Sequence, residues 1–188
     1  MKKKQLVEEY NDCWIYVLLL TTLTILIQSV KSYKFTLMGT VISYNIFLIP
    51  GIYFLSNYIC KKYDYKKAIA AIAISGVIFV GFVVTMEFAL GRGLVLSTII
   101  GDFCGYIVSQ FVNLMIYVFL LNNTRSPYIL VLLNYIFSII VYYMIYTLIY
   151  LNLVILDGYW LKYFITIGID TAICIPVALI DKKIKRGL

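Results

Sequence analysis

Six long apolar stretches, separated by short segments that hold most of the charges, constrain this chain more than any other feature. They cover residues 14–30, 35–58, 68–90, 94–121, 128–151 and 159–180. Each is long enough to cross about 30 Å of hydrocarbon as a helix. Of the 188 residues, 63% are hydrophobic and 13% are charged, which is far from the composition of soluble proteins. We therefore predict an all-α, polytopic membrane protein, with residues 1–188 forming a single transmembrane domain of six helices.

The distribution of Lys and Arg predicts how this bundle is oriented. With a cytoplasmic N-terminus, twelve of the 16 basic residues lie on the inner side, and the outer side holds Lys31, Lys34, Arg92 and Lys162. Basic residues favour the cytoplasmic side, so both termini are predicted to be cytoplasmic and the membrane to be the cell's inner (plasma) membrane. The acidic residues of segment 8–12 argue against a cleaved signal peptide, so the first span is expected to remain.

The net charge and the scarce metal-binding residues exclude several functions. The formal charge of +7 follows from the topology signal, and we predict the lipid bilayer, not a nucleic acid, as the charged partner. The chain has no His, and its four Cys residues stand far apart at 13, 60, 104 and 174. No zinc, haem or His-based acid-base site can be built from them. We predict no cofactor and no enzymatic activity, because no catalytic constellation is present.

A polar stripe on the fourth span is the first indication of function. Thr98, Asp102, Gly105, Ser109 and Asn113 fall within about 80° of one another on a helix. A charged residue near mid-membrane costs at least ~2.5 kcal/mol, so this face is not expected to contact lipid. We expect it to line the bundle interior, a cavity or a substrate path.

The sixth span carries a second polar stripe. Lys162, Thr166, Asp170 and Cys174 recur every four residues along one face. Asp170 is expected either to be held structurally, by a hydrogen bond or an ion pair with Lys162, or to accept N–H groups from a polar ligand.

The fifth span has tyrosines on one face, and the fourth has closely spaced glycines. Tyr142, Tyr146 and Tyr150 are predicted either to anchor the helix at the membrane interface or to stack against a planar ligand. Gly101 and Gly105 are predicted to allow a neighbouring helix to approach closely, or to leave space for a ligand beside the fourth-span stripe.

Three segments resemble the signatures of the vitamin-uptake transporter (VUT) family, also called the queuosine precursor transporter family. Segment 34–68 is similar through Phe35, Gly39, Pro50, Tyr63, Lys66, Lys67 and Ala68. Segment 99–119 is similar through Ser109 and Gln110, and segment 161–179 through Lys162, Asp170 and Thr171. Two positions where the family has acids hold Asn57 and Asn113 here.

The resemblance implies a six-helix transporter that imports a small-molecule solute. The typical cargo is a queuosine precursor, 7-cyano- or 7-aminomethyl-7-deazaguanine, or a similar planar heterocycle. Such a base has a planar face and an edge with donors and acceptors, which a carboxylate, an amide and an aromatic ring can read. The candidate substrate-binding residues are Asn57, Asp102, Tyr106, Ser109, Gln110, Asn113, Asn134 and Asp170. Tyr106 or a tyrosine of the fifth span is expected to supply the stacking ring.

Two alternatives remain. The family resembles the substrate-binding components of energy-coupling-factor transporters in size and helix number, so the chain could bind a vitamin-like solute for separate energising subunits. Such docking normally uses small residues in the first span, and residues 14–30 contain no Ala or Gly, which favours a stand-alone carrier. The other alternative is a non-transporting membrane protein with a decayed site, in line with Asn57 and Asn113. Assembly as a homo-oligomer is also left open.

Overall fold

The described part of the chain is a bundle of helices with one small hairpin. The computed structural model describes residues 2–89, 91, 96–122, 128–150 and 159–183. The helices are α1 (Lys2–Val30), α2 (Ile49–Lys62), α3 (Tyr65–Ala89), α4 (Leu96–Asn122), α5 (Tyr128–Tyr150) and α6 (Tyr159–Lys183). Strands β1 (Lys34–Leu37) and β2 (Thr40–Ser43) and a 3-10 helix (Tyr44–Phe47) connect α1 to α2. All but α2 are long and apolar enough to cross a membrane. The predicted all-helical, multi-pass membrane bundle is confirmed at this level.

The prediction of one continuous helix over residues 35–58 is wrong. The first part of this stretch is an antiparallel hairpin in which Lys34 pairs with Ser43 and Leu37 with Thr40. Its two-residue turn has positive φ at both Met38 and Gly39, the geometry that matches the twist of tight hairpins. Pro50 lies in the first turn of α2, where its missing N–H costs nothing, and not in mid-helix. The 14 residues of α2 are about 21 Å long.

Contacts between distant residues define two ends of the bundle. At one end, which we call the Lys31 end, Lys31 after α1 forms an ion pair with Asp102 near the start of α4. At the other, the Lys61 end, Lys61 of α2 contacts Asp181 of α6. Tyr16 of α1 contacts Tyr58 of α2 close to this second end. The chain therefore runs from the Lys31 end to the Lys61 end through the 3-10 helix and α2.

The bundle has an apolar exterior and a polar interior. Exposed large hydrophobic residues occur on every long helix and include Leu18, Val77, Phe119, Met144 and Phe164. The stripe residues of α4 point inwards: Asp102, Ser109 and Asn113 are at most 3% exposed. The expectation that this face avoids lipid is confirmed for these residues, while the side chain of Thr98 lies outside the described part. Helix α4 packs most extensively against α5 among the described elements, and its stripe residues contact both α5 and α2.

Candidate functional site

A cavity of about 350 Å³ opens at the Lys31 end, between the hairpin and helices α4, α5 and α6. It is lined by Lys31, Lys34, Ile42, Ser43, Asn45, Ile46, Asp102, Tyr142, Tyr143, Tyr146, Thr147, Lys162, Tyr163 and Thr166. Its volume falls in the usual range for small-molecule sites, about 300–1,000 Å³. Charged, hydroxyl, amide and aromatic groups all reach it, so it can contact both the face and the edge of a planar solute.

Asp102 is the acidic group of this cavity. Its carboxylate accepts a hydrogen bond from the Lys31 ammonium and another from the Tyr142 hydroxyl at 3.2 Å. The Lys31 ammonium also lies 4.6 Å from the centre of the Tyr146 ring, a cation–π contact. A buried charge of this kind is tolerated because it is paired and hydrogen-bonded. Asp102 is thus a preorganised acceptor with one lysine as its counter-ion.

Four tyrosines form an aromatic wall around the cavity. The rings of Tyr142 and Tyr146 are nearly parallel, 12° apart, with centroids at 6.5 Å. Tyr143 contacts Tyr142 edge-on at 5.3 Å and Tyr163 of α6 at 6.1 Å. Tyr142 is buried, so the prediction that it anchors the helix at the interface is wrong, because Asp102 draws its hydroxyl inwards. The wall offers ring faces against which a planar ligand can stack.

Two further lysines make the cavity basic. Lys34 of β1 and Lys162 of α6 both line it, and in the described part of the chain neither ammonium lies within ion-pair distance of a carboxylate. The ion pair between Lys162 and Asp170 considered from the sequence is not formed. Asp170 instead accepts a hydrogen bond from the Tyr143 hydroxyl at 3.1 Å.

Below the cavity, five polar side chains of α2, α4 and α5 form a buried network, which we call the amide network. Its members are Ser56, Asn57, Gln110, Asn113 and Asn134, all at most 2% exposed. Asn113 is its centre: it donates to Asn57 at 2.7 Å and accepts from Asn134 at 2.9 Å. Ser56 donates to Gln110 at 2.7 Å. The network ties three helices together at mid-bundle.

The amide network keeps one donor and one acceptor unused. Within the described residues, the Gln110 Nε2 and the Asn134 Oδ1 have no hydrogen-bond partner, although both are buried. Neighbouring Ser109 is occupied, since it accepts a hydrogen bond from the Tyr53 hydroxyl at 2.9 Å. Unpaired buried polar groups are costly, so each of these two atoms would be stabilised by a further polar group within hydrogen-bond distance.

The eight candidate residues are all buried, but they do not form one pocket. Asp102 lines the cavity, and Asp170 lies behind its Tyr143 wall. Asn57, Gln110, Asn113 and Asn134 belong to the amide network, with Ser109 beside it. Tyr106 lies apart, because its hydroxyl is hydrogen-bonded to Ser75 of α3 at 2.6 Å.

Sequence reasoning named Tyr142 and Tyr146 as a possible stacking surface but missed other residues that complete the cavity, chiefly Lys31, Asn45 and Tyr163. The four-residue spacing of Tyr142 and Tyr146 was a usable signal, since it places both rings on one face. Nothing in the sequence around Lys31 indicates that it lines a cavity. It follows the first span as any flanking lysine does, and only the fold brings it to Asp102.

Close contact between α4 and α5 positions Tyr142, which leads to a prediction about Gly105. A Cβ added at Gly105 would lie 3.2 Å from the Tyr142 carbonyl oxygen and ring. Gly105→Ala should therefore push α5 away, lower stability by about 1–3 kcal/mol and loosen the Tyr142–Asp102 hydrogen bond. Equilibrium unfolding in mixed micelles measures the change. The matched control is Gly81→Ala, where a Cβ meets nothing within 4 Å; equal losses in both variants would refute this account.

The comparisons with known proteins give no relative. No family model matches the chain, and no curated protein or solved structure matches it either. The class of protein therefore rests on the fold and the site: a helical, multi-pass membrane protein with a basic, tyrosine-walled cavity at one end of its bundle.

Proposed function

We propose that this protein is a membrane transporter that imports a small planar heterocycle, either a queuosine precursor, 7-cyano- or 7-aminomethyl-7-deazaguanine, or a similar solute. The observation that carries the proposal is the cavity of about 350 Å³ in which a buried carboxylate faces a wall of tyrosine rings. The sequence resemblance to the vitamin-uptake transporter family supplies the expected solute class.

Binding is proposed to combine stacking with edge recognition. Ring faces of Tyr142 and Tyr146 hold the plane of the solute, and the Asp102 carboxylate accepts N–H groups from its edge. Lys31 then releases part of its contact with Asp102 and remains over the Tyr146 ring. The amide network lies next along the bundle, and its free donor on Gln110 and free acceptor on Asn134 would meet the same edge as the solute moves inwards.

We propose that the chain crosses the plasma membrane six times, with both termini in the cytoplasm and the cavity facing outwards. The 3-10 helix and α2 join the two ends of the bundle and together are about 29 Å long, which matches the hydrocarbon thickness. The Lys61 end is rich in basic residues, with Lys61, Lys62, Lys66 and Lys67, as expected of a cytoplasmic side.

The test is rescue of queuosine in transfer RNA. A host that lacks both queuosine synthesis and its own importer is supplied with 7-cyano-7-deazaguanine and expresses this protein. We expect queuosine to return, and we expect Asp102→Asn and Tyr146→Ala to lower initial uptake of the isotope-labelled base at least tenfold. Asn113→Ala and Asp170→Ala test the deeper residues and should also reduce uptake.

Controls separate a lost site from a lost protein. Membrane levels of each variant are compared by immunoblot, and Phe119→Ala, a lipid-facing change on α4, should transport normally. Failure of the wild-type protein to bind or import the base would refute the proposed substrate. Transport that requires copurifying ATPase subunits would instead identify a binding component of an energy-coupling-factor system. Binding without any transport would favour the non-transporting alternative.

A further inference from the structure

Asp170 is the most unusual polar side chain in the described interior. It lies in the middle of α6 and is 0% exposed. One carboxyl oxygen, Oδ2, accepts the hydrogen bond from Tyr143, and the other, Oδ1, has no partner within the described residues. The other two buried aspartates differ: Asp102 and Asp181 each have a lysine within ion-pair distance. Asp170 alone among these three lacks a counter-ion.

The groups that face Asp170 do not supply a positive charge. Tyr143 of α5 is hydrogen-bonded to it, Cys174 lies one turn further along α6, and Tyr53 lies on α2, which packs against α6. The hairpin strand and 3-10 helix that pack against α6 contain no ionisable acid or base other than Tyr44. The nearest lysine along α6, Lys162, makes no ion pair with it. Among the described residues, the titratable groups near Asp170 are therefore uncharged hydroxyl and thiol groups.

Burial of an ionised carboxylate without a counter-ion is far more costly than burial of a neutral acid. A neutral acid can donate its O–H to the Tyr143 oxygen, so its burial carries a smaller penalty. Tyr143, which is hydrogen-bonded to Asp170, also lines the cavity. Its phenol group therefore contacts both Asp170 and the cavity space. Burial without a counter-ion thus favours the protonated form of Asp170, and Tyr143 gives a proton from the cavity a short route to it.

We propose that Asp170 is the proton-binding site that couples this carrier to a proton gradient, an inference that rests on the proposed transport function. A proton from cavity water binds the Tyr143 oxygen as Tyr143 passes its own proton to the Asp170 carboxylate. One O–H bond breaks in the water cluster and one forms on Asp170, while Tyr143 ends unchanged. When the carrier opens to the cytoplasm, Asp170 releases the same proton there. One proton thus enters with each solute molecule.

The first experiment needs no solute. Infrared spectra of the purified full chain in lipid nanodiscs at neutral pH distinguish the carbonyl band of a neutral carboxylic acid from carboxylate bands. We expect such a band in the wild-type protein and its loss in Asp170→Asn, which preserves side-chain size. The matched control is Asp64→Asn, an exposed aspartate, which should leave the band unchanged. Tyr143→Phe keeps the acid but removes its hydrogen bond, so the band should shift to higher frequency and persist.

The second experiment measures coupling in proteoliposomes with 7-cyano-7-deazaguanine as the probe. An inside-alkaline pH gradient should raise wild-type accumulation at least tenfold, and any exchange of the probe that Asp170→Asn retains should be the same with and without the gradient. A wild-type protein without the acid band, a band that survives Asp170→Asn, or accumulation driven by sodium alone would overturn the inference. If the wild-type protein does not take up the probe, the proposed substrate is refuted, and the infrared comparison decides whether Asp170 binds a proton.

Discussion

Lys31→Met should destabilise the protein by about 3 kcal/mol, because it leaves the Asp102 carboxylate without its counter-ion. Asp102 is only 4% exposed as a side chain, and Lys31 is 25% exposed. Loss of one partner of a buried pair typically costs about 3–5 kcal/mol, and the partial exposure of Lys31 places the change at the lower limit. Equilibrium unfolding in mixed micelles measures it.

A second substitution distinguishes this cause from general damage. The double variant Lys31→Met with Asp102→Asn removes both charges, so it should recover most of the lost stability. Lys34→Met is the matched control, since Lys34 lines the same cavity but is exposed and makes no ion pair in the described part. A double variant no more stable than the single one would show that the pair is not the source of the loss.

Asp181→Ala should have the largest effect on stability at the Lys61 end. The buried carboxylate of Asp181 accepts hydrogen bonds from Tyr117 at 2.7 Å and Tyr135 at 2.8 Å, and it lies 3.5 Å from the Lys61 ammonium. Its removal leaves Lys61, whose side chain is 10% exposed, without this counter-ion and deprives two buried hydroxyls of their acceptor. We expect a loss of about 3–5 kcal/mol in the free energy of unfolding.

The control for this prediction is another aspartate of the same end. Asp64 is exposed and accepts a hydrogen bond from the backbone N–H of Lys67 at the start of α3. Asp64→Ala should cost only about 1 kcal/mol, the usual value for a lost helix cap. Adding Lys61→Met to Asp181→Ala should restore part of the stability. Similar losses for Asp64→Ala and Asp181→Ala would contradict the role given to the buried cluster.

The sequence predicted the long helices well because hydrophobic length is a local property. It failed at residues 35–58, where the apolar run continues through a hairpin, a 3-10 helix and a short helix. Hydropathy does not distinguish these from one helix, since Phe35, Val41 and Ile42 are as apolar in a strand as in a helix. The turn at Gly39 and the position of Pro50 were the local signals, and their meaning depends on the fold around them.

The candidate site was predicted in part for a similar reason. Helical periodicity correctly placed Asp102, Ser109 and Asn113 inside the bundle, because a face unsuited to lipid must point inwards. Periodicity on one helix does not reveal partners on others, however. The pairing of Asp102 with Lys31 depends on contacts between residues 71 positions apart. The separation of cavity and amide network likewise follows from helix packing and not from any one helix.

The hairpin between α1 and α2 also provides a position for a spectroscopic label. Its tip is open: Met38 is 78% exposed, and nothing lies within 4 Å of a Cβ built on Gly39. Its other end is fixed, because the Ser43 hydroxyl donates to the Lys31 carbonyl oxygen at 2.7 Å beside the cavity. Of the native cysteines, Cys13, Cys60 and Cys174 are buried, and Cys104, which is half-buried, would be replaced by Ser before labelling. A fluorophore or spin label attached through Met38→Cys would therefore report on the free tip of the hairpin while leaving the cavity lining intact.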